Sequence, residues 1–536
     1  MKFYVLILSF LLPMCVFSQW TEDYNVNTPV ADGPTDDIQS IGTYDGQTYV
    51  IFYDTSNGYQ LRVQLLDQDG NPMFGTNGML ANDTAAPASW TITRSSAVDE
   101  DGNLYIGFSS TEDGDGYINK ISPDGTQLFG DSGIIIPDGW DIKILLQPDG
   151  GLIAGYLNIT SGDAQLIKYD ANGNPVWDQP LTITGPSGES CVVGEMAELS
   201  DGSFILLYHV KAGFGINSMM WAQRFDADAN PLWDNSIQVS TQTLASNRRY
   251  PILQDGDTVY WGYYGSTGNR FDSFLQRINP DGSLPWSADG ASFAVDDSRY
   301  EMNTSIAFDE TSSVIWATST LSDTNQSLFG QAIQKYDKTT GEPLLGENAK
   351  IIFPVSADAW VAVGNMRLVN NQPLILFSNG ISNGVNSIQL GVTYLDENGD
   401  FVWENQYEMI ATADSNKFRV DFTENVEGQS VAVWADNRAG TYRAFAQNFV
   451  VEDATMHIGN VHQATTALYP NPTTGIVHIR STNPVAMTEI YDLSGKLLQQ
   501  SKNVQSADLR NMPKGTYLLK VTDTKGSTKS FKIVKK

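Results

Sequence analysis

A repeated unit between Gln19 and Glu452 is the feature that most constrains the fold of this chain. In each unit a strand ends in an Asp/Asn-Gly turn, a short apolar strand follows, and a third strand ends in a second polar turn. A large apolar residue then closes the unit, and successive closing positions are 48 to 59 residues apart. Repeats of roughly 40–50 residues with several strands each are typical of a β-propeller. The closing residues are Phe74, Phe129, Trp177, Trp233, Trp286, Leu345 and Trp403.

The second unit illustrates the pattern in full. β-Branched and aromatic residues alternate with polar ones, and Asp-Gly steps separate the segments, which predicts strands joined by hairpins. No segment has a sustained helical period. Four antiparallel strands in one unit predict one propeller blade. The four predicted strands are Thr91–Val98, Asn103–Ser109, Tyr117–Ser122 and Gln127–Ile136.

Seven units are complete, and an eighth runs from Phe418 to Phe449 without a fourth strand. The missing strand is found at the other end of the chain, where Gln19–Val26 aligns with Leu232–Val239. We therefore expect the N-terminal strand to complete the last blade and close the ring, which removes free sheet edges. The sequence predicts an all-β, eight-bladed β-propeller, with seven blades as the alternative.

Two of the repeats resemble a known blade motif. Lys335–Gly341 followed by Leu345, and Lys168–Gly173 followed by Trp177, are similar to the tryptophan-docking repeats of quinoprotein-like propellers. Enzymes of that group also use a vicinal cysteine pair, and the sequence has none. The resemblance therefore implies an architecture, and it leaves a degenerate quinoprotein-like enzyme as one alternative.

The C-terminal segment carries four short motifs, Leu468–Gly475, Glu489–Lys496, Lys514–Val521 and Phe531–Lys536. In this order and spacing they resemble the C-terminal sorting domain of the type IX secretion system of Bacteroidota. The resemblance implies a small β-sandwich, export across the outer membrane, and the type IX secretion machinery as a partner. The residues that carry the sorting motif are Pro470, Asn471, Pro472, Gly475, Gly495, Gly515 and Tyr517.

The N-terminus has the pattern of a secretory signal peptide. A basic start is followed by an apolar run from Phe3 to Phe17, with cleavage expected after Ser18. A lipoprotein signal acylated at Cys15 is the alternative. No other apolar stretch is long enough to be a transmembrane segment. The predicted domains are a signal peptide (1–18), a propeller (19–452), a linker (453–464) and a sorting domain (465–536).

Composition and charge restrict the function. The net charge is −30, and the segment from His462 onward carries +7, which leaves −37 for the rest of the chain. A body this acidic makes nucleic acid an improbable partner, because phosphate binding requires a basic surface. Cys191 is the only cysteine after the predicted signal, so no intramolecular disulfide is expected.

Residues with catalytic or metal-binding chemistry are scarce. His209 is the only histidine in the repeats, and its apolar strand indicates a structural role. No metal site and no cofactor are expected, with calcium as an open alternative, because the Asp-x-Asp pairs lack the further oxygen ligands that calcium requires. They are better explained as turn residues. These pairs are Asp67/Asp69, Asp99/Asp101, Asp113/Asp115 and Asp226/Asp228.

One group of aromatic residues is a candidate binding site. Each precedes the first turn of its unit by ten to twelve residues, where the innermost strand of a blade begins. Aromatic rings beside carboxylates and arginine at a concave mouth suit a sugar or a peptide, although packing between blades is the alternative. The candidate residues are Trp90, Trp140, Tyr300, Trp360 and Phe418, beside Asp141, Asp296, Asp297, Arg299, Asp358 and Arg419.

The sequence therefore predicts a secreted or cell-surface protein that acts as a non-catalytic binding module for an extracellular glycan or protein, or as an adhesive surface protein. The alternative is an enzyme, either one that acts on polysaccharides or the degenerate quinoprotein-like enzyme. The sequence leaves open whether the protein catalyses a reaction.

Overall fold

The computed structural model describes most of the chain after the predicted signal peptide, which lies outside the described residues. Among the described residues there is no α-helix, and a 3-10 turn at Thr55–Asn57 interrupts an otherwise all-β structure. The described ranges are 20–82, 94–211, 217–246, 248–267, 270–357, 360–379, 387–426, 428–452, 455–457, 466–481, 484–492, 495–524 and 528–536.

In the described part of the repeat region the strands form eight antiparallel sheets, which follow one another along the chain as the blades of a β-propeller do. A short N-terminal strand, β1 (Thr28–Pro29), precedes sheet 1. Sheet 1 contains β2 (Thr35–Gly42), β3 (Thr48–Asp54), β4 (Gln60–Leu66) and β5 (Met79–Leu80). Sheet 2 contains β6 (Ser95–Val98), β7 (Leu104–Ser109), β8 (Gly116–Ile121) and β9 (Ile134–Ile136).

Sheets 3 to 5 repeat this order, with neighbouring strands paired in sequence. Sheet 3 contains β10 (Gly139–Leu146), β11 (Leu152–Asn158), β12 (Ala164–Tyr169) and β13 (Leu181–Ile183). Sheet 4 contains β14 (Cys191–Glu198), β15 (Phe204–Lys211), β16 (Asn217–Phe225), β17 (Ile237–Gln238) and β18 (Leu244–Ala245). Sheet 5 contains β19 (Ile252–Asp255), β20 (Thr258–Thr267), β21 (Arg270–Ile278) and β22 (Ala291–Ser292).

Sheets 6 to 8 complete the repeat region. Sheet 6 contains β23 (Tyr300–Ala307), β24 (Val314–Ser322), β25 (Phe329–Asp337) and β26 (Lys350–Ser356). Sheet 7 contains β27 (Val361–Ala362), β28 (Arg367–Val369), β29 (Gln372–Ser378), β30 (Leu390–Tyr394) and β31 (Glu408–Ala411). Sheet 8 contains β32 (Lys417–Phe422), β33 (Gln429–Asp436), β34 (Arg443–Glu452) and, beside β34, the N-terminal strand β1.

The N-terminal strand pairs with the last sheet, but further along the chain than the sequence alignment predicts. Thr28 lies opposite Ala446, and the backbone N–H of Val30 donates to the carbonyl of Ala444 at 2.9 Å. The segment 20–26, which aligned with a strand, contains a turn in which the Val26 N–H donates to the Asp23 carbonyl at 3.0 Å. Because the backbone of this turn is hydrogen-bonded within itself and not to β34, the strand begins only after the turn, at Thr28.

The closing aromatic residues attach each sheet to the next. The indole N–H of Trp233 in sheet 4 donates to the Pro280 carbonyl at 3.0 Å, and its ring covers Gly282 in the turn between β21 and β22. Gly282 has a φ of 84°, a conformation that favours glycine. Equivalent bonds join Trp177 to the Ala227 carbonyl at 3.3 Å and Trp286 to the Thr339 carbonyl at 3.2 Å.

Trp20 makes the same contact with sheet 1. Its indole N–H donates to the Gln68 carbonyl at 2.7 Å, and a Cβ on Gly70 would lie 2.8 Å from its ring. The side chain is only 3% exposed. Trp20 therefore lies against sheet 1 as Trp233 lies against sheet 5.

Hydrophobic clusters fill the spaces between consecutive sheets. One cluster joins sheets 4 and 5 through Ile205 and Trp261, and equivalent clusters join every consecutive pair from sheets 1 and 2 to sheets 7 and 8. A further cluster combines Phe52 of sheet 1 and Val433 of sheet 8 with Trp20. Sheets 1 and 8 therefore share a core, although they are at opposite ends of the repeat region.

The C-terminal residues form two smaller sheets. A hairpin strand, β35 (Thr455–His457), first pairs with β34 inside the segment that the sequence predicts as a linker. Val477, Ile490, Leu519 and Ile533 form a common buried core between the two sheets, as expected for a small sandwich. Their strands are β36 (Thr466–Tyr469), β37 (Ile476–Ser481), β38 (Val485–Tyr491), β39 (Leu497–Lys502), β40 (Ser506–Asp508), β41 (Gly515–Asp523) and β42 (Thr528–Lys535).

The sorting-motif residues fix the ends of this domain. The Asn471 amide donates to the Lys532 carbonyl at 2.7 Å and accepts from the Val534 N–H at 2.9 Å. The Tyr517 hydroxyl donates to the Pro513 carbonyl at 2.6 Å. The first motif is therefore bonded to the last strand, which explains why the two ends of the domain both carry recognisable sequence.

We predict that Trp20→Ala destabilises the repeat region by about 3–5 kcal/mol, because it removes a buried indole between sheets 1 and 8. Trp233→Ala, which removes the same contact between sheets 4 and 5, is the matched control. Denaturant unfolding of both variants checks the prediction. An unchanged unfolding midpoint for Trp20→Ala beside a loss in Trp233→Ala would mean that the N-terminal contact carries no stability.

Candidate axial binding site

The first strands of neighbouring sheets face a common channel. Residues from the first strands of sheets 4 to 7, or directly before them, line one continuous space. A side chain at the start of these strands can therefore meet side chains from several other sheets. Residues that occupy the same position in successive repeats of the sequence can therefore contribute to one site.

Most of these first strands contain a β-bulge at the same place. In sheet 3, for example, Asp141 and Ile142 of β10 lie opposite the single residue Tyr156 of β11, so that one residue is extra. A bulge of this kind bends the strand and redirects its side chains. The same irregularity occurs between Asp36 and Gln39, Val193 and Met196, Met302 and Ser305, and Phe418 and Asp421.

The bulge places non-glycine residues in the left-handed region of the backbone. Asp37, Asp141, Asn303 and Arg419 have φ between 50° and 54°, and Gly364 has 71° at the break in the first strand of sheet 7. Such residues are uncommon, and they are often found at functional sites. In sheets 4 and 6 the bulge presents a polar side chain, Glu195 or Asn303, at a common cavity.

Charged bulge residues neutralise one another where sheets 8, 1 and 2 meet. The Asp37 carboxylate lies 3.5 Å from the guanidinium of Arg94 and 3.5 Å from that of Arg419. Arg94 is buried and also lies over the Tyr53 ring, 4.5 Å from its centroid. In sheet 3 the Lys143 ammonium lies 3.3 Å from Asp141. This side of the channel is therefore occupied by ion pairs.

The opposite side of the channel, between sheets 4 and 7, contains a cavity of about 560 Å³. This volume is within the usual range for small-molecule sites. The lining combines positive charge, aromatic rings and amides. The lining residues are Glu195, Arg248, Arg249, Tyr250, Pro251, Ile252, Tyr264, Asn303, Thr304, Ser305, Gly364 and Asn365.

Two further cavities extend this one. A cavity of about 400 Å³ shares Pro251, Ile252 and Asn365 with the first and continues along the same strands toward Asp309. Another, of about 300 Å³, shares Arg248, Tyr250 and Tyr264 and is also lined by Asn217 and Phe271. A ligand longer than one small ring could therefore occupy the channel and its side branch.

A chain of aromatic rings leads from the cavity toward Tyr300. Tyr250 contacts Tyr264 with centroids 6.0 Å apart, Tyr264 contacts Phe271 at 6.3 Å, and Phe271 contacts Tyr300 at 5.8 Å. All three contacts are edge-to-face, the arrangement that aromatic pairs favour. Tyr300, which the sequence predicts as a site residue, is therefore connected to this cavity by packing.

The other predicted aromatic residues occupy the starts of their own strands. Trp140 lies in β10, and Phe418 lies in β32, where its ring meets Tyr442 at 4.4 Å. Trp360 directly precedes β27 and contacts Tyr407 at 4.8 Å. Trp90 lies outside the described residues, and so does Asp358, the polar residue that the sequence places beside Trp360. Trp360 and Phe418 therefore pack on rings of their own surroundings.

The sequence analysis did not identify the arginines and tyrosines of the cavity. The signal that it could have used is the pair Arg248-Arg249 directly before Tyr250, in a chain whose repeat region is strongly acidic. The unit of sheet 5 offers no aromatic residue at the position used for the prediction. Its contribution to the channel comes instead from this short basic segment and from Tyr264 on β20.

The Asp-x-Asp pairs are turn residues. The Asp67 carboxylate accepts the backbone N–H groups of Asp69 and Asn71 at 2.9 and 2.8 Å. Among the described residues there is no group of three or more His, Cys, Asp and Glu side chains that could hold a metal. The same pair of backbone bonds is made by Asp99, Asp170 and Asp226.

His209 in sheet 4 and Glu301 in sheet 6 are buried titratable groups. The His209 imidazole is hydrogen-bonded through Nδ1 to the Ser218 hydroxyl at 2.7 Å, and burial lowers its pKa to about 3. Burial raises the pKa of the Glu301 carboxyl from 4.5 to about 8, although its carboxylate accepts the Ser273 N–H at 3.1 Å. His209 is a structural residue, whereas Glu301 makes stability depend on pH.

Comparison with known proteins identifies the C-terminal domain. Residues 467–536 match the family described as the secretion system C-terminal sorting domain. The protein is therefore secreted through the type IX system, either released or attached to the outer cell surface. Among the described residues, no helix has the length and apolar character needed to cross a membrane. A search of curated proteins found no significant match.

Solved structures that resemble the chain do so weakly. Puromycin hydrolase matches with a TM-score of 0.41 and 10% sequence identity. The match spans 78% of this chain but only 61% of puromycin hydrolase. The polysaccharide lyase Uly1 matches with a TM-score of 0.40 and 11% sequence identity, over 72% of this chain and 93% of the lyase. The β-propeller domain of the Trilobed protease from Pyrococcus furiosus matches with a TM-score of 0.39 and 8% sequence identity, over 72% of this chain and 99% of that domain.

Glu301→Gln tests the buried carboxyl. The folded state retains a proton that the unfolded chain releases above pH 4.5, so the wild type loses stability as the pH rises from about 4.5 to 8. The loss is at most about 1.4 kcal/mol per pH unit. We predict that the melting temperature of Glu301→Gln exceeds that of the wild type increasingly across this range. The exposed Glu112→Gln is the control, and a difference that does not vary with pH would contradict the assignment.

Proposed function

We propose that this protein is a secreted, closed ring of eight blades that binds an extracellular glycan or protein in its axial cavity without altering it chemically. The sorting domain delivers the ring to the cell exterior, and the motif resemblance makes a bacterium of the Bacteroidota the proposed source. In this proposal the domains are the signal peptide (1–18), the ring (19–452), a linker (453–464) and the sorting domain (465–536).

Closure of the ring is supported by a contact that sheets 1, 5, 6 and 8 share. In sheet 6 the Gln334 amide donates to the Gly346 carbonyl at 2.7 Å. Gly346 directly follows the closing residue Leu345. In sheet 8 the corresponding Gln447 amide donates to the Thr21 carbonyl, directly after Trp20, at 2.9 Å. The N-terminal segment therefore supplies the contact that the eighth repeat lacks.

An arginine clamp supports the same conclusion. The Arg438 guanidinium donates to the carbonyls of Asn25 and Val26 at 2.8 and 2.7 Å, and it pairs with the buried Asp436 carboxylate at 2.6 Å. A guanidinium can serve these acceptors simultaneously because it carries five N–H donors in a fixed plane. These bonds hold the N-terminal segment in place before it reaches β1.

The observation that carries the binding function is the composition of the axial cavity. Arg248, Asn303 and Asn365 are exposed to it from three different sheets, beside the half-buried ring of Tyr264. Apolar walls with a few convergent polar groups are the usual composition of a ligand site. No hydrogen bond to another described residue occupies the Asn303 or Asn365 amide, so both are available to a ligand.

The enzyme alternatives have less support. Hydrolysis of a glycosidic bond usually requires two carboxyl groups across the scissile bond. Glu195 is the carboxylate among the lining residues named for the 560 Å³ cavity. Asp309 and Glu424 line the adjoining cavity, where Glu424 is paired with Arg367. The tryptophan contacts with turns support a quinoprotein-like architecture, but they hold sheets together and lie away from the cavity. Binding without turnover therefore fits these residues better than catalysis does.

Arrays of extracellular glycans and matrix proteins, with product analysis of every bound compound, test the proposal. We expect binding without turnover. Turnover would favour the enzyme, and the absence of both would favour an adhesive surface protein without a small ligand.

Two variants then separate binding from packing among the predicted aromatic residues. Trp140 is half-buried and lies in β10, outside the residues that line the 560 Å³ cavity. If it lines the mouth as the sequence predicts, Trp140→Ala should weaken binding by about 1–3 kcal/mol and leave melting nearly unchanged. Trp360→Ala should lower the melting temperature, because it removes the contact with Tyr407 at 4.8 Å. A large melting loss in both variants would show that Trp140 is also a packing residue.

A further inference from the structure

We infer that the axial cavity binds an acidic saccharide, and that Arg248 binds the carboxylate or sulfate group of that saccharide. The inference rests on the proposed binding function and specifies its ligand. It depends on the charge state of one arginine, on the aromatic surface next to it, and on the amides that surround both.

Arg248 differs from most arginines of this chain. No carboxylate of the described residues lies within 4.0 Å of its guanidinium, although the chain has 62 acidic residues. A cation that is left without a carboxylate partner in so acidic a protein marks a place where an anion can bind. Nine other arginines do have a carboxylate within that distance, namely Arg62, Arg94, Arg224, Arg270, Arg299, Arg367, Arg419, Arg438 and Arg510.

The two sides of the channel make this contrast directly. Arg94 and Arg419 lie at the strand starts of sheets 2 and 8, and both are neutralised by Asp37. Arg248 enters from sheet 5, and its guanidinium lies over the Tyr264 ring, 5.5 Å from the centroid. A guanidinium supported on an aromatic face keeps its planar fork of N–H donors free for a bidentate oxyanion.

The remaining lining favours a saccharide over an acidic peptide. A pyranose ring has an apolar C–H face and a rim of hydroxyl groups that both donate and accept hydrogen bonds. The rings of Tyr264 and Phe271 provide apolar faces, and the exposed amides of Asn217, Asn303 and Asn365 both donate and accept. The shared lining of the two cavities places Arg248 and Tyr264 between these amides.

The binding groups come from several sheets. Asn217 belongs to sheet 4, Arg248 precedes sheet 5, Asn303 belongs to sheet 6 and Asn365 belongs to sheet 7. A saccharide of several residues could therefore contact four sheets at once. We expect its affinity to depend both on chain length and on ionic strength, because salt screens the arginine–oxyanion attraction.

Calorimetric titration of the full secreted chain tests the inference with four probes: a galacturonate oligosaccharide, its methyl ester, a sulfated carrageenan oligosaccharide and poly-glutamate. We expect one or both anionic saccharides to bind, and the response to each shows whether the preferred oxyanion is a carboxylate or a sulfate. The methyl ester, which has the same backbone without the charge, should bind at least tenfold more weakly than the galacturonate. Poly-glutamate should bind more weakly than the saccharides.

Arg248→Gln should raise the dissociation constant for the bound acidic saccharide at least tenfold without lowering the melting temperature. Arg62→Gln, which affects an arginine paired with Asp54 outside the cavity, is the matched control. Equal binding of the acid and its ester, an unchanged affinity in Arg248→Gln, or a preference for poly-glutamate would overturn the inference. Binding of neutral glycans alone would overturn it and leave the proposed function intact, whereas the absence of any binding on the arrays would remove both.

Discussion

The structure depends on one repeated contact, in which a large apolar side chain of one sheet covers a turn of the next. In Trp233 and Trp286 the indole N–H also donates to a turn carbonyl, so each contact has a polar as well as an apolar part. Flat sheets that stack face to face gain little specificity from apolar packing alone, because such packing has no direction. The added hydrogen bond fixes the relative position of two sheets. Repetition of this contact then determines how all the sheets are arranged.

The sequence predicted this arrangement well, because the contact requires particular residues at a fixed distance. A closing aromatic residue such as Trp233 must follow its turn, and a turn glycine such as Gly282 must accept the ring of the preceding sheet. The sequence aligned Trp20 with Trp233 by the residues around them, and the two side chains make equivalent contacts. The position of β1 was not predictable in the same way, because the turn after Trp20 starts at Asp23, whereas the turn after Trp286 starts at the very next residue, Ser287.

The candidate site was harder to predict from the sequence. The sequence inference chose residues at the strand starts, and one of them, Tyr300, is connected by ring contacts to the cavity. The role of these residues in binding stays a prediction. The sequence inference did not identify Arg248 or Tyr264, because the site depends on which charged side chains at the strand starts pair with one another between neighbouring sheets. That pairing is a property of the assembled sheets. Asp37, for example, lies about 57 residues before Arg94 and about 380 residues before Arg419 in the sequence, and no spacing rule relates them.

The account depends most on the proposed closure of the ring by the N-terminal segment, since the axial channel is defined only if sheets 1 and 8 meet. An engineered disulfide between Thr28→Cys and Ala446→Cys, with Cys191→Ser to remove the free thiol, tests this directly, because the two positions lie opposite each other in β1 and β34. The account predicts that the disulfide forms and that the oxidised protein melts at a higher temperature than its reduced form, as a cross-link that closes a long loop should. Failure of the two cysteines to oxidise, or equal melting of the oxidised and reduced forms, would contradict it.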